Sequence, residues 1–197
     1  MLFRSTGAFP LPTFDTALQE LTRDPQYAKV PADKRSMVAH RAWDKGCRAA
    51  HDLWVSSHGE CDFGTLLRDA GIQVIANDAD CTIGEQRYFS DYISGQAIVN
   101  LYLRSLQLLA QEYDITPQQA ENMAMAHEYF HMLECTCIGL TSREYQVPLF
   151  RIGRWSIGRT GIRAMSEVGA HAFVHTYFTL TELPEIPGQP GPQQSEY

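Results

Sequence analysis

Residues 127–131 read His-Glu-Tyr-Phe-His. On an α-helix, residues four apart lie nearly one above the other, about 6 Å along the axis. His127 and His131 would therefore present two imidazoles to one small ion, as zinc ligation requires. Glu128 sits beside the pair, where a carboxylate can take a proton from water that a metal has activated. The chemistry implied is metal-assisted hydrolysis, with zinc the expected ion.

The flanking residues predict the helix that this spacing needs. Thr116 suits an N-cap, Pro117 the first helical position, and Gln119 can complete a capping box. Strong helix formers follow, and no Gly or Pro intervenes before Gly139. The expected helix runs from about 117 to 135.

Two histidines leave a catalytic zinc site short of a third protein ligand. The downstream candidates are Cys135, Cys137, Glu144, Glu167, His171 and His175. Cys135 is eight residues from His127, about 12 Å along a helix, too far to share one ion with it. Cys135 and Cys137 are expected to be small, partly buried thiols. Glu167 lies in a second predicted helix, about 160 to 180, with Ala164, Val168 and Ala172 as an apolar stripe. If that helix crosses the first, Glu167 can reach the ion; His171 or His175 could take its place.

HExxH followed tens of residues later by a helical Glu is the pattern of gluzincin metallopeptidases. Within that group the chain resembles the ImmA/IrrE-like family over roughly residues 35–180. Ala126 precedes the motif, and Glu167, Ala170 and Phe173 match the Glu-x-x-Ala-x-x-Phe of the second helix. Phe130 departs from the pattern, which usually has Gly before the second His. The resemblance implies a zincin-like fold, zinc held by His127, His131 and Glu167, and Glu128 as general base. It points to Glu167 over the two histidines. It places His171 where related enzymes orient a zinc-bound imidazole, and leaves His175 as a packing or surface residue. Tyr145 and His171 are the candidates for stabilising the oxyanion. It also implies a regulatory protease acting on a protein or peptide, such as a transcriptional repressor. Related gluzincins bind extended peptides along a sheet edge, so the strand within Gln96–Leu103 is expected to take substrate as an added strand. The rival reading is a non-catalytic binding or sensing module on the same scaffold, with Phe130 narrowing the cleft.

The elements that must position these residues read as α+β. Short helical character at Thr13–Thr22 precedes a long amphipathic helix over Pro31–Ser57, with Val38, Ala42, Cys47, Ala50 and Trp54 facing the core. A brief helix over Cys61–Ala70 ends at Gly71. Strands are predicted at Ile72–Ala76, Gln86–Ile93 and Gln96–Leu103, the last two joined at Ser94-Gly95 as a two-residue hairpin. The sheet is then small and partly antiparallel, with Leu101–Glu112 turning helical. Residues 141–161 carry two Ile-Gly-Arg repeats and a basic bias, and are expected to form a solvated loop. The domain reading is an N-terminal segment 1–30, a metallopeptidase-like domain 31–183 and a disordered tail 184–197.

A net charge of −7 argues against primary nucleic-acid binding, which needs a basic face. Five cysteines in no framework spacing suit a reducing, cytoplasmic setting. No signal peptide is evident, and no apolar run approaches the roughly 20 residues of a membrane span.

Overall fold

The structure is a computed structural model that describes residues 11–84, 86–152 and 155–182, with the backbone alone at 151, 152, 156 and 182. The expected tail 184–197 lies outside the described residues. Among the described residues, six α-helices and seven strands make an α+β architecture with small sheets. In chain order they are α1 (Phe14–Arg23), α2 (Ala32–Ser56), α3 (Phe63–Asp69), β1 (Gln73–Asn77), β2 (Cys81–Ile83), β3 (Gln86–Tyr88), β4 (Ser90–Ile93), β5 (Ile98–Tyr102), α4 (Leu103–Tyr113), α5 (Pro117–Leu133), β6 (Gln146–Ile152), β7 (Trp155–Gly161) and α6 (Ala164–Glu182). Among the described residues, no helix is long and apolar enough to cross a membrane.

Local chemistry sets the element ends. At α5 the Thr116 hydroxyl accepts from the Gln119 N–H at 3.2 Å, and the Gln119 side chain accepts from the Thr116 N–H at 2.8 Å. Both orphan donors are satisfied and Pro117 follows at the first turn, as the sequence predicts. The α-helical turns stop at Leu133, and residues Glu134–Ile138 continue as one wider π-helical turn. Gly139 ends it at φ 73°, a conformation that favours glycine.

The main sheet has the order β1-β5-β4, with β1 parallel and β4 antiparallel to β5. Strand β5 is central, paired on both sides, so the expectation that it takes an added substrate strand is overturned. Ser94 and Gly95 do form the β4–β5 turn, since Ile93 O accepts from the Gln96 N–H at 3.0 Å. The loop is four residues long, however, with Ala97 at φ 54° closing it. The single strand expected over Gln86–Ile93 is broken at Phe89; its first part, β3, pairs with β2 instead.

Residues 146–161 also depart from expectation. Residues 146–152 and 155–161 pair as antiparallel strands, β6 and β7, rather than forming a solvated loop. Phe150 pairs with Ile157 in register, and such a cross-strand apolar pair stabilises a hairpin. Gly153 and Arg154, from the basic stretch, lie outside the described residues.

Helix α6 joins two apolar clusters. Its start, Met165 and Val168, packs with Leu21, Tyr27, Val38 and Ala42 from α1, α2 and the chain between them. Its later turns, Phe173 and Tyr177, pack with Phe63, Leu67, Leu106 and Phe130. The helices meet tightly at Gly169. A Cβ there would lie 2.7 Å from Phe130 Cζ, and one on Gly46 would lie 2.0 Å from the Gly169 carbonyl oxygen. Glycine is required at this node because α2, α5 and α6 leave no room for a methyl group.

Candidate metal centre

The fold brings His127 and His131 from α5 together with Glu167 from the first turn of α6. The two Nε2 atoms are 3.1 Å apart. Glu167 Oε2 is 3.2 Å from His127 Nε2, and Oε1 is 3.6 Å from His131 Nε2. Ligand atoms bonded to a tetrahedral zinc at about 2.0–2.1 Å lie roughly 3.3 Å from one another. The spacings of 3.1, 3.2 and 3.6 Å fit that polyhedron, and the donor types suit zinc. The site is reachable from solvent: the side chains of His127, His131 and Glu167 are 21%, 19% and 48% exposed.

The electrostatics of the cluster call for positive charge. Burial opposes protonation of His131, but hydrogen bonds to Glu134 and Glu167 and the nearby carboxylate charges outweigh it and raise the pKa to about 10. Burial favours the neutral form of Glu167, yet hydrogen bonds from His127 and His131 hold its carboxyl well below the usual range. The carboxylates around the imidazoles favour positive charge at this point, which a bound cation can supply in place of a proton.

Glu128 is 4% exposed, and its Oε1 accepts from the Ser90 hydroxyl at 2.6 Å. Ser90 opens β4, so the sheet orients the carboxylate beside the histidines. His171, one turn beyond Glu167, has its ring centroid 5.5 Å from that of His127. Burial first, then the His127 charge, push His171 down to about 4, so it is neutral at pH 7. Its Nδ1 is buried and without a hydrogen-bond partner among the described residues.

The other candidates lie elsewhere. Cys135 and Cys137 are exposed free thiols on the π turn, not partly buried ones, because that turn projects into solvent. Glu144 pairs with Lys45 at 2.7 Å and Arg41 at 3.3 Å. His175 sits against Trp43 at 5.6 Å between ring centroids, two turns along α6 from Glu167. Tyr145 packs on the α1–α2–α6 cluster. Phe130 is fully buried against Gly169 and Phe173, so it does not narrow the cleft.

Three residues at the site are not among the candidates expected from the sequence. Ser90 is 38 positions from Glu128, and only the fold joins them. Ser166 is likewise brought in by α6. Glu134 did have a signal, since it lies three residues after His131 on the same helix face. A groove of about 530 Å³ opens at the Glu167 end of the centre, lined in part by Glu20, Arg23, Gln26 and Arg163. Comparison of the chain with protein-family models, with curated proteins and with solved structures gives no match.

Proposed function

We propose that the chain is a zinc-dependent peptidase of zincin-like architecture, similar to the ImmA/IrrE metallopeptidases and working in the reducing cytoplasm. The observation that carries this reading is the spacing of His127, His131 and Glu167, which matches a tetrahedral ion while Glu128 is held beside it. Zinc bound there would polarise a scissile carbonyl and make water acidic enough to attack near neutral pH. Ser90 occupies Oε1 of Glu128, which leaves Oε2 to take a proton from the attacking water and pass it to the leaving amine. Neutral His171 is the group placed to donate a hydrogen bond to the developing oxyanion.

Substrate is a protein or peptide in extended form, with a repressor-type protein the class that the family resemblance favours. Strand β4 carries Ser90, lies at the sheet edge among the described residues, and is the strand to which such a segment would add. A binding module that acts by contact has no need of a buried carboxylate next to His127 in the chain, and Phe130 gives it no support because it lies in the core.

The deciding experiment compares zinc-loaded wild type with zinc-loaded Glu128→Gln on a library of proteome-derived peptides, reading new termini by mass spectrometry. Cleavage by the wild type, with about 10²–10⁴-fold less from the variant, is the expected result. Equal cleavage, or none from a fully loaded wild type, rejects the peptidase reading.

A further inference from the structure

We propose that Glu134 is a positioning residue: it fixes the tautomer of His131 and so aims the Nε2 lone pair at the metal. This rests on the metal reading of the centre. Glu134 is 3% exposed, and a carboxylate so deeply buried persists only where donors surround it. Three donors from three parts of the chain do so. The Thr141 backbone N–H donates to Oε1 at 2.7 Å, and the Ser166 hydroxyl donates to the same oxygen at 2.9 Å. Oε2 faces His131 Nδ1 at 3.1 Å.

In the neutral imidazole that ligation requires, the geometry leaves one proton arrangement. A backbone N–H can only donate, so Oε1 is committed as an acceptor. Oε2 of the ionised carboxylate also accepts, so His131 must carry its proton on Nδ1. Nε2 is then the atom with a free lone pair, and it is the atom that faces His127 Nε2 and Glu167. Carboxylates that hold a ligating imidazole in this way raise its basicity and fix its ring. Ser166 adds a second constraint, because it directly precedes Glu167. One carboxylate thus ties the second histidine on α5 to the turn of α6 that supplies the third ligand.

This arrangement makes an unusual demand of an isosteric substitution. In Glu134→Gln the Thr141 N–H still needs an acceptor, so the amide oxygen must take the Oε1 position. The amide nitrogen then faces His131 Nδ1. It can only donate, so Nδ1 must accept and the imidazole proton moves to Nε2, where it blocks ligation. A residue that served only to fill space and to accept from Thr141 and Ser166 would be replaced by Gln without loss.

The test measures the zinc dissociation constant by competition with a chromophoric chelator for wild type and Glu134→Gln, with melting of both metal-free proteins as the folding control. About 10–100-fold weaker binding by the variant, at similar melting temperature, is expected. Equal affinity overturns the inference alone, whereas a folded wild type that binds no zinc removes the metal reading and the inference with it. Should the variant not fold, ¹⁵N-edited spectra of the zinc-loaded wild type decide: a proton on His131 Nδ1 with the metal on Nε2 supports the assignment, and the reverse overturns it.

Discussion

Helices α5 and α6 meet twice, and the two contacts are built on different principles. At His127, His131 and Glu167 the contact is polar and open to solvent, and hydrogen bonds set the distances. At Phe130, Gly169 and Phe173 it is apolar, closed, and set by the space that rings and backbone leave. The first arrangement leaves polar groups that water can reach. The second makes a rigid back wall two residues from Glu167, so the crossing of the helices does not depend on the polar groups. Stability and chemistry should therefore separate when each contact is changed.

The largest effect on stability is expected from Phe130→Ala. The ring is fully buried, and truncating a buried Phe costs about 3–5 kcal/mol through lost burial and the cavity left behind. Urea unfolding of the metal-free protein measures it. Gly169→Ala should follow, at about 1–3 kcal/mol, since its new methyl would lie 2.7 Å from Phe130 Cζ. The two changes share one space, so the double variant should lose less than the sum of the single losses. Strict additivity would break the claim that this contact is a packed node.

The same contrast explains what could be read in advance. That His127, His131 and Glu167 come together was legible because the expected zinc chemistry asks for two histidines four apart and a third donor on a second helix, and the family resemblance pointed to Glu167. Thr116, Pro117 and Gln119 marked the helix that carries the motif. The apolar contact was not legible, because packing fixes volumes and leaves residue order free. Phe130 looked like an obstruction in the cleft until Gly169, 39 positions later, proved to be the space it fills. Residues 146–161 failed for a related reason. Repeated Ile-Gly-Arg suggested a basic loop, whereas the pairing of Phe150 with Ile157 shows a hairpin only once the register is known. Ser90 and Ser166 reach the centre through the fold alone.

A smaller effect, and a pH dependence, are expected at Tyr177. Its hydroxyl donates to Glu60 O and lies 3.0 Å from Ser57 Oγ. Burial is the main cause that raises its pKa from 10.0 to about 12. A raised pKa means that the folded state prefers the protonated phenol, so this stabilisation is complete below pH 10 and is lost as pH rises through about 12. Tyr177→Phe should cost about 1 kcal/mol at pH 7 through the lost hydrogen bonds. The variant's stability should also fall less steeply than the wild type's between pH 10 and 12. Parallel alkaline curves for the two proteins would show that Tyr177 does not titrate with unfolding.

His127→Ala should change the stability of the metal-free protein least of all. The side chain is 21% exposed and its partner Glu167 is 48% exposed, and pairs this open to water contribute about 0–1 kcal/mol. Neither group belongs to the apolar clusters that hold the helices. Stability in the presence of a chelator should therefore change by no more than about 1 kcal/mol. Zinc should reverse the ranking. A ligand that binds only the folded state adds about 2.7 kcal/mol at one hundred times its dissociation constant. Wild type and Tyr177→Phe should gain that increment on zinc addition, and His127→Ala should gain none, because one of its three donors is gone. Phe130→Ala, if it folds, should still respond to zinc despite its low starting stability. If His127→Ala instead melts as early as Phe130→Ala without metal, the polar contact is holding the helices together, and the division of labour between the two contacts fails.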